Sequence, residues 1–508
     1  MVNLKKLRNM VYSVCSVSIM FSFNVVLLAR TNTIYAPHTN VMDINLLDGN
    51  EFNMYISNYG KFGQSPEGGA GAWWPSNRSS ETYIFGAGPW IGAITKDGDT
   101  VVTLFYNPNS GQSEGVPAHI ADSDDLYNYS AALRDPYDRV HIYGKTTDQY
   151  EWPLKTSSGE DSVVSDMDSY EAFMDIAPEY QDSTSKPLGL YVVEQTYQWA
   201  VPYLDNILFN IYEIENISSD TLFDVYAGIT YDFDVGNESA QNANDLVRFY
   251  RSYTFADDTA PTLLNLAYQY QTEPEPGWVG VDGNGLPGVI GSVFLDSPLA
   301  TDTVIVWDTI GTHVGPDTIY PGEPLGMTAF KIFTVQIDPW TDPERYSLMA
   351  GYDPPSAGGA YNPYMDDWYG PGDKRFIQVS GPFTMAPGQK IRLVSAIVMA
   401  EDTLNILYEA KKAYILYENN FSDVSEKNHN RADCPELRVI LTTNGVLFTA
   451  NSNTAKPIMV SIYDACGRLV KEAKIKRKYY FKPEKSGVYF YMVRNTAIKE
   501  HGQFIVIH

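Results

Sequence analysis

LYVVEQTYQWAVPYLDNILFNIYEIENISSDTLFDVYAGITYDFDVG, residues 190–236, decides the fold. Inside it, NILFNIYEIEN (206–216) alternates with a period of two. Ile207, Phe209, Ile211 and Glu213 fall on one face, and Leu208, Asn210, Tyr212 and Ile214 on the other. That period belongs to a strand, whose successive side chains point to opposite sides. Ile217–Asp220 then reads as a turn into LFDVYAGITYDFD (222–234). The two runs are therefore predicted to form an antiparallel pair.

Working outward, the same signals recur. Upstream, NMYISNYG (53–60), ETYIFGAGPWIGAI (81–94) and TVVTLFY (100–106) read as strands, with Asp97-Gly98 at a hairpin turn. Residues 107–186 are polar and read as long loops with short elements. Downstream, residues 240–380 alternate short strands with Pro/Gly-rich loops such as EPEPG (273–277), YDPPSAGG (352–359) and YGPGD (369–373). RLVSAIVMA (392–400) is a continuous apolar run and reads as a buried strand. One helix interrupts the pattern: in TLNILYEAKKAYILYENNF (403–421), Leu404, Leu407, Tyr414, Tyr417 and Phe421 recur at helical spacing. Asp402 or Thr403 can cap its start, and Asn419-Asn420 suits its end.

Composition agrees with a β-rich chain of several domains. The 508 residues are 44% hydrophobic and 13% aromatic, with 37 Tyr, so a large core can form and strand-favouring side chains abound. The formal net charge is −26, which repels nucleic-acid phosphates and anionic lipid. No nucleic-acid partner is expected, and membrane contact is expected only through the leader during export. That leader is residues 1–36: Lys5, Lys6 and Arg8 precede an uncharged, mostly apolar run from Met10 to Ala29, the layout of a secretory signal peptide, with cleavage expected after Ala36 or, alternatively, after Ala29. An uncleaved membrane anchor is the alternative, since the run is nearly long enough to span a bilayer. Removing the leader leaves Cys434 and Cys466, which could pair or remain two thiols.

The last stretch differs in charge. Residues 436–508 hold twelve Lys and Arg against five Asp and Glu, net +7, which leaves −33 for the rest of the chain. Such a reversal marks a separate module. Seven short strands are legible in it: LRVILT, GVLFTA, IMVSIYDA, RLVKEA, KYYFKP, GVYFYMVR and GQFIVIH. In VSIYDACGRLVKE (460–472), Asp464 and Gly467 make a hairpin turn. KSGVYFYMV (485–493) and GQFIVIH follow. This pattern resembles the C-terminal sorting domain of the type IX (Por) secretion system and the related immunoglobulin-like module of flagellar hook-cap proteins. The resemblance implies a small β-sandwich that engages secretion or attachment machinery through residues 434–508, and a location in the medium or on the outer face of the outer membrane. Two features depart from the pattern: no Pro-Asn-Pro element opens the segment, and the chain ends in His508. They leave open whether the segment is a working secretion signal or an adhesive domain. FGAGPWIGA (85–93), YDFDVGN (231–237) and SGPFTMAPGQKIRLVSAIVMAED (380–402) resemble uncharacterised secreted bacterial proteins that carry such tails.

The expected architecture is mainly β. A leader (1–36) is followed by a Gly/aromatic-rich β region (37–186). A large antiparallel β-sandwich region (187–425) comes next, with one covering helix, and an immunoglobulin-like domain (434–508) closes the chain. Chemistry is sparse. The best candidate site is Asp232, Asp234 and Asn237 with Asp245 downstream: oxygen ligands two residues apart lie on one side of an extended segment, and Gly236 lets the chain turn. Calcium is the sharper reading and a hydrogen-bonded acidic turn the plainer one. The spacing is not that of an EF-hand, because Ala243 stands where a bidentate Glu would be.

Gly283-Asn-Gly285-Leu-Pro-Gly288 fits a dinucleotide fingerprint on paper, but Pro287 and VIGSVFL (289–295) point to a turn and a strand. The seven histidines are scattered, and no feature selects a carboxylate pair for glycoside cleavage. Trp73, Trp74, Trp90, Tyr361, Tyr364, Trp368 and Tyr369 sit in Gly/Pro-rich surroundings, where they could stack on a glycan or pack the loops. The expected role is structural or adhesive at the cell surface, with a glycan or surface protein as partner. The alternative is an extracellular carbohydrate-binding or carbohydrate-cleaving protein.

Overall fold

A computed structural model describes residues 42–118, 139–144, 152–176, 187–236, 244–255, 260–308, 315–335, 337–364, 370–421 and, further on, 437–442, 445–450, 458–464, 468–475, 478–483, 487–494 and 499–506. The leader, the acidic patch at Asp122, Asp124 and Asp125, and both Cys434 and Cys466 lie outside them.

The strands are β1 (Ile44–Leu47), β2 (Asn53–Ser57), β3 (Ala72–Trp73), β4 (Thr82–Ile94), β5 (Thr100–Leu104), β6 (Val116–Pro117), β7 (His141–Tyr143), β8 (Met167–Met174), β9 (Leu190–Gln198), β10 (Ile207–Asn216), β11 (Leu222–Phe233), β12 (Leu246–Tyr253), β13 (Thr262–Tyr270), β14 (Val289–Asp296), β15 (Val304–Asp308), β16 (Gly315–Ile319), β17 (Ala329–Thr334), β18 (Lys374–Met385) and β19 (Lys390–Ala400). Helix α1 is Asp342–Met349 and α2 is Asn405–Glu418.

Two antiparallel sheets dominate. The first runs β1-β2-β3-β4-β11-β18-β17, with β5 also on β4. The second runs β12-β13-β14-β19-β10-β9-β8-β6, with β7 also on β8. Their facing sides share one core, to which β11 gives Ile229, Tyr231 and Phe233, and β10 gives Leu208, Tyr212 and Ile214. Polar bonds cross the same space: Tyr231 donates to Ser395 Oγ at 3.1 Å, and Gln378 to the carbonyl of Asn265 at 2.7 Å.

The expected pairing of β10 with β11 is corrected. They belong to different sheets, β10 between β9 and β19, β11 between β4 and β18. Both strands are apolar on both sides, so each needs cover twice, and a two-stranded hairpin leaves one side wet. Asn216 secures the crossing by donating to Asp220 O and Met385 O. The Asp97-Gly98 turn forms as expected between β4 and β5, with Gly98 at φ +85°.

Outer faces are covered as well. On the first sheet, Trp90, Leu104, Phe333 and Ile377 pack under Leu348 and Met349 of α1. Helix α1 begins at a capping box formed by Thr341 and Glu344. Helix α2 lies on β13, β14 and β19 of the second sheet. Its buried stripe is Ile406, Leu407, Ala410, Ala413 and Leu416, whereas Leu404, expected on that stripe, is exposed. Two alanines let the helix axis come close to the sheet, which larger side chains would prevent. Asp402 accepts from the backbone N–H groups of Leu404 and Asn405.

Strands on both sides of residue 187 interleave in both sheets, so the chain through Phe421 is one compact unit. Ser422–His508 is a second. It holds β20 (Leu437–Thr442), β21 (Gly445–Ala450), β22 (Ile458–Asp464), β23 (Leu469–Ile475), β24 (Lys478–Phe481), β25 (Gly487–Arg494) and β26 (Lys499–Val506), at the seven places read from the sequence. They form sheets β20-β21-β24 and β23-β22-β25-β26 around Phe448, Val460, Ile462, Ile475, Phe481 and Tyr489.

Candidate cation centre

Asp232 is the penultimate residue of β11, and Asp234 follows the strand. A register shift against β4 between Asp232 and Phe233 bends the chain there. Strand β18 runs antiparallel alongside, pairing Phe376 with Tyr231. This brings Asp373, just ahead of β18, to the same end of the sheet. One carboxylate oxygen from each of Asp232, Asp234 and Asp373 lies within 4.8 Å of the others.

The surroundings are closed. Asp232 and Asp234 are 1% and 5% exposed, and Asp245 is fully buried. Tyr106 donates to Asp232 Oδ2. Its ring fits because residue 86 is glycine: a Cβ there would stand 2.2 Å from Tyr106 Cε2. Asp245 Oδ2 accepts from Val235 N at 3.2 Å and from Gln269 Nε2 at 2.6 Å. Asp245 Oδ1 is buried and takes no hydrogen bond. Arg375 supplies the positive charge, 3.1 Å from Asp232, 3.2 Å from Asp373 and 3.4 Å from Asp338. Its Nε and Nη1 lack the alignment of directed hydrogen bonds, so these are ion pairs first.

Three carboxylates therefore share one guanidinium, and burial governs the acidity of Asp232, Asp338 and the nearby Asp245. It pushes Asp232 up to about 6, against the opposing pull of Arg375 and Tyr106. It pushes Asp338 up to about 7, again against Arg375. Asp245 is raised well above the ordinary range, chiefly by burial and further by the negative charges of Asp234 and Asp373. Burial opposes the charge on Arg375, and Asp232, Asp338 and Asp373 outweigh it. Among the described residues the cluster offers hard oxygen donors, a set that suits calcium or magnesium better than zinc.

Of the residues read from the sequence, Asp232 and Asp234 come together, Asp245 stands beside them, and Asn237 lies outside the described residues. Sequence reading missed Asp338, Asp373 and Arg375. Asp373 closes the YGPGD loop, whose glycines and proline announced a turn but no ligand. The loop aromatics divide. Trp74 and Trp90 are buried, and Tyr364 stacks on Phe249. Tyr361 is 51% exposed beside Tyr352, their rings tilted by 62°. Trp368 and Tyr369 lie outside the described residues. Gly283 and Gly285 form a loop leading into β14, with no helix for a dinucleotide.

No protein-family model and no curated protein matches this sequence. Among solved structures, a polysaccharide lyase aligns over 79% of this chain and 45% of its own, at 10% identity and a TM-score of 0.20. A β-glucuronidase of Ruminococcus gnavus aligns over 53% and 44%, at 8% identity and a TM-score of 0.12. The chain thus spans less than half the length of either, and similarity this low carries no information on function.

Proposed function

We propose that this chain is a structural or adhesive protein of the bacterial cell exterior, delivered by its C-terminal domain. The observation that carries the reading is the C-terminal unit: a basic, seven-stranded segment bearing Tyr-Asp-x-x-Gly-Arg and Ser-Gly-Val-Tyr-Phe-Tyr, joined to an acidic β-sandwich. Burial of Trp74 and Trp90 supports it, since these rings serve packing and not a ligand. Among the described residues, no helix is long and apolar enough to cross a membrane.

One observation favours a second reading, glycan binding. Tyr352 and Tyr361 are 42% and 51% exposed with ring centroids 5.3 Å apart. Their 62° tilt, however, is not the flat platform on which a sugar ring stacks.

The test is the intact mass of the protein recovered from the medium and from the washed surface of its native host. Loss of both the leader and the segment from about residue 434 onward supports sorting with tail removal. Loss of the leader alone supports a retained adhesive domain. Recovery only from inside the cell overturns the reading.

A further inference from the structure

Buried carboxylates from separate parts of the chain gather at the end of β11. Asp232, Asp338 and Asp373 pair with the guanidinium of Arg375, Asp234 lies with Asp232 and Asp373, and Asp245 is held beside Asp234 through the N–H of Val235. We propose that Asp232, Asp234, Asp245 and Asp373 bind one divalent cation, calcium by the chemistry of their oxygens. The proposal stands whether or not the protein is adhesive.

Four features carry it. Three carboxylate oxygens within 4.8 Å of one another can reach a common cation, and a site built from several protein carboxylates suits calcium better than magnesium, which usually keeps several waters. Asp245 provides a separate sign. It is fully buried, and while Oδ2 is held by Val235 and Gln269, Oδ1 has no hydrogen bond. Its Oδ2 accepts from the N–H of Val235, next to Asp234, and its backbone carbonyl from the N–H of Gly372, next to Asp373, which places the residue at the cluster. Tyr106 then acts as an outer support that orients Asp232, as hydrogen-bonded ligands usually require. Finally, the donors come from three separate segments: the end of β11, the start of β12 and the loop before β18. A cation there ties both sheets together, because β11 and β18 belong to one and β12 to the other.

The experiment uses the mature full chain. Its melting temperature is measured in excess calcium chloride and in excess chelator, and calcium binding is followed by calorimetric titration. Binding only the native state raises the melting temperature. The expected result is a higher melting temperature with calcium and one tight site per chain. Asp373→Asn and Asp245→Asn should each weaken that site by about tenfold or more, because affinity follows ligand charge. In chelator they should melt no lower than the parent, since each removes buried repulsion. Equal melting in calcium and chelator overturns the proposal. So does a calcium effect that both variants retain, which would put the ion elsewhere on the acidic surface. Should a variant fail to fold, tyrosine-sensitised terbium emission from the parent decides: emission that calcium displaces one for one supports the site, and its absence overturns it.

Discussion

Glu171 and Glu194 face each other across β8 and β9, and both are fully buried. Tyr212 donates to Glu194, and Ser169 to Glu171. Burial pushes Glu194 up to about 8, and it raises Glu171 well above the ordinary carboxylate range, with repulsion from Glu194 added. Two such carboxylates do not both ionise, so they hold at least one proton at neutral pH. Both acids bind protons more tightly folded than unfolded. Their stabilising contribution is full below the ordinary glutamate range and is lost as pH rises through about 8. Glu171→Gln should therefore flatten the fall in stability between pH 5 and pH 8 and raise stability at pH 8 by about 1–3 kcal/mol. Chemical denaturation at several pH values measures this, and an unchanged slope would refute it. Asp175 behaves oppositely in its bonds. It accepts from Thr103 and from the N–H groups of Leu188, Gly189 and Leu190, joining β5 of one sheet to the entry of β9 in the other. Asp175→Ala orphans four buried donors and should cost about 3–5 kcal/mol, read from the denaturation midpoint.

Elements show the same logic over longer stretches. Alternation along β10 was legible, but it is the pattern of a strand covered on both sides. Leu208, Tyr212 and Ile214 meet the opposite sheet, whereas Phe209 meets Trp199 and Phe421 on the side of α2. Helical spacing located α2 within two residues at its start, and the stripe it suggested was weighted to large residues. The residues that touch the sheet are small, because close approach favours alanine. Ala413→Leu should therefore overpack this contact and destabilise by about 1–3 kcal/mol, although leucine is a good helix former. Helix α1 depends on its cap. Thr341→Ala removes the bond to Glu344 N and should cost about 1 kcal/mol, by the same measurement.

At the scale of the molecule, two compact units carry opposite charge: Ser422–His508 nets +6, and Met1–Phe421 −32. Separate cores predict separate unfolding. Calorimetry of the full chain should show two transitions, and calcium should move only the one belonging to the larger unit. A single transition would mean that the two cores unfold together. High salt should change the acidic unit most, since screening relieves repulsion among exposed carboxylates.

Local chemistry in the sequence did not reveal β8, whose buried Asp168, Ser169 and Glu171 made residues 107–186 read as polar loops, nor helix α1. It was enough to determine class, many strand positions, the one long helix and the seven strands of the C-terminal unit. Each of these depends on side-chain periodicity and on turn residues within about ten positions. It also singled out Asp232, Asp234 and Asp245, whose spacing is local. Only tertiary structure decided which strands are neighbours, because a strand covered on both faces does not say which sheet it joins. For the same reason only tertiary structure brought Asp373 and Arg375 to Asp232. They stand more than a hundred residues downstream, and the antiparallel register of β18 against β11 is what closes that gap.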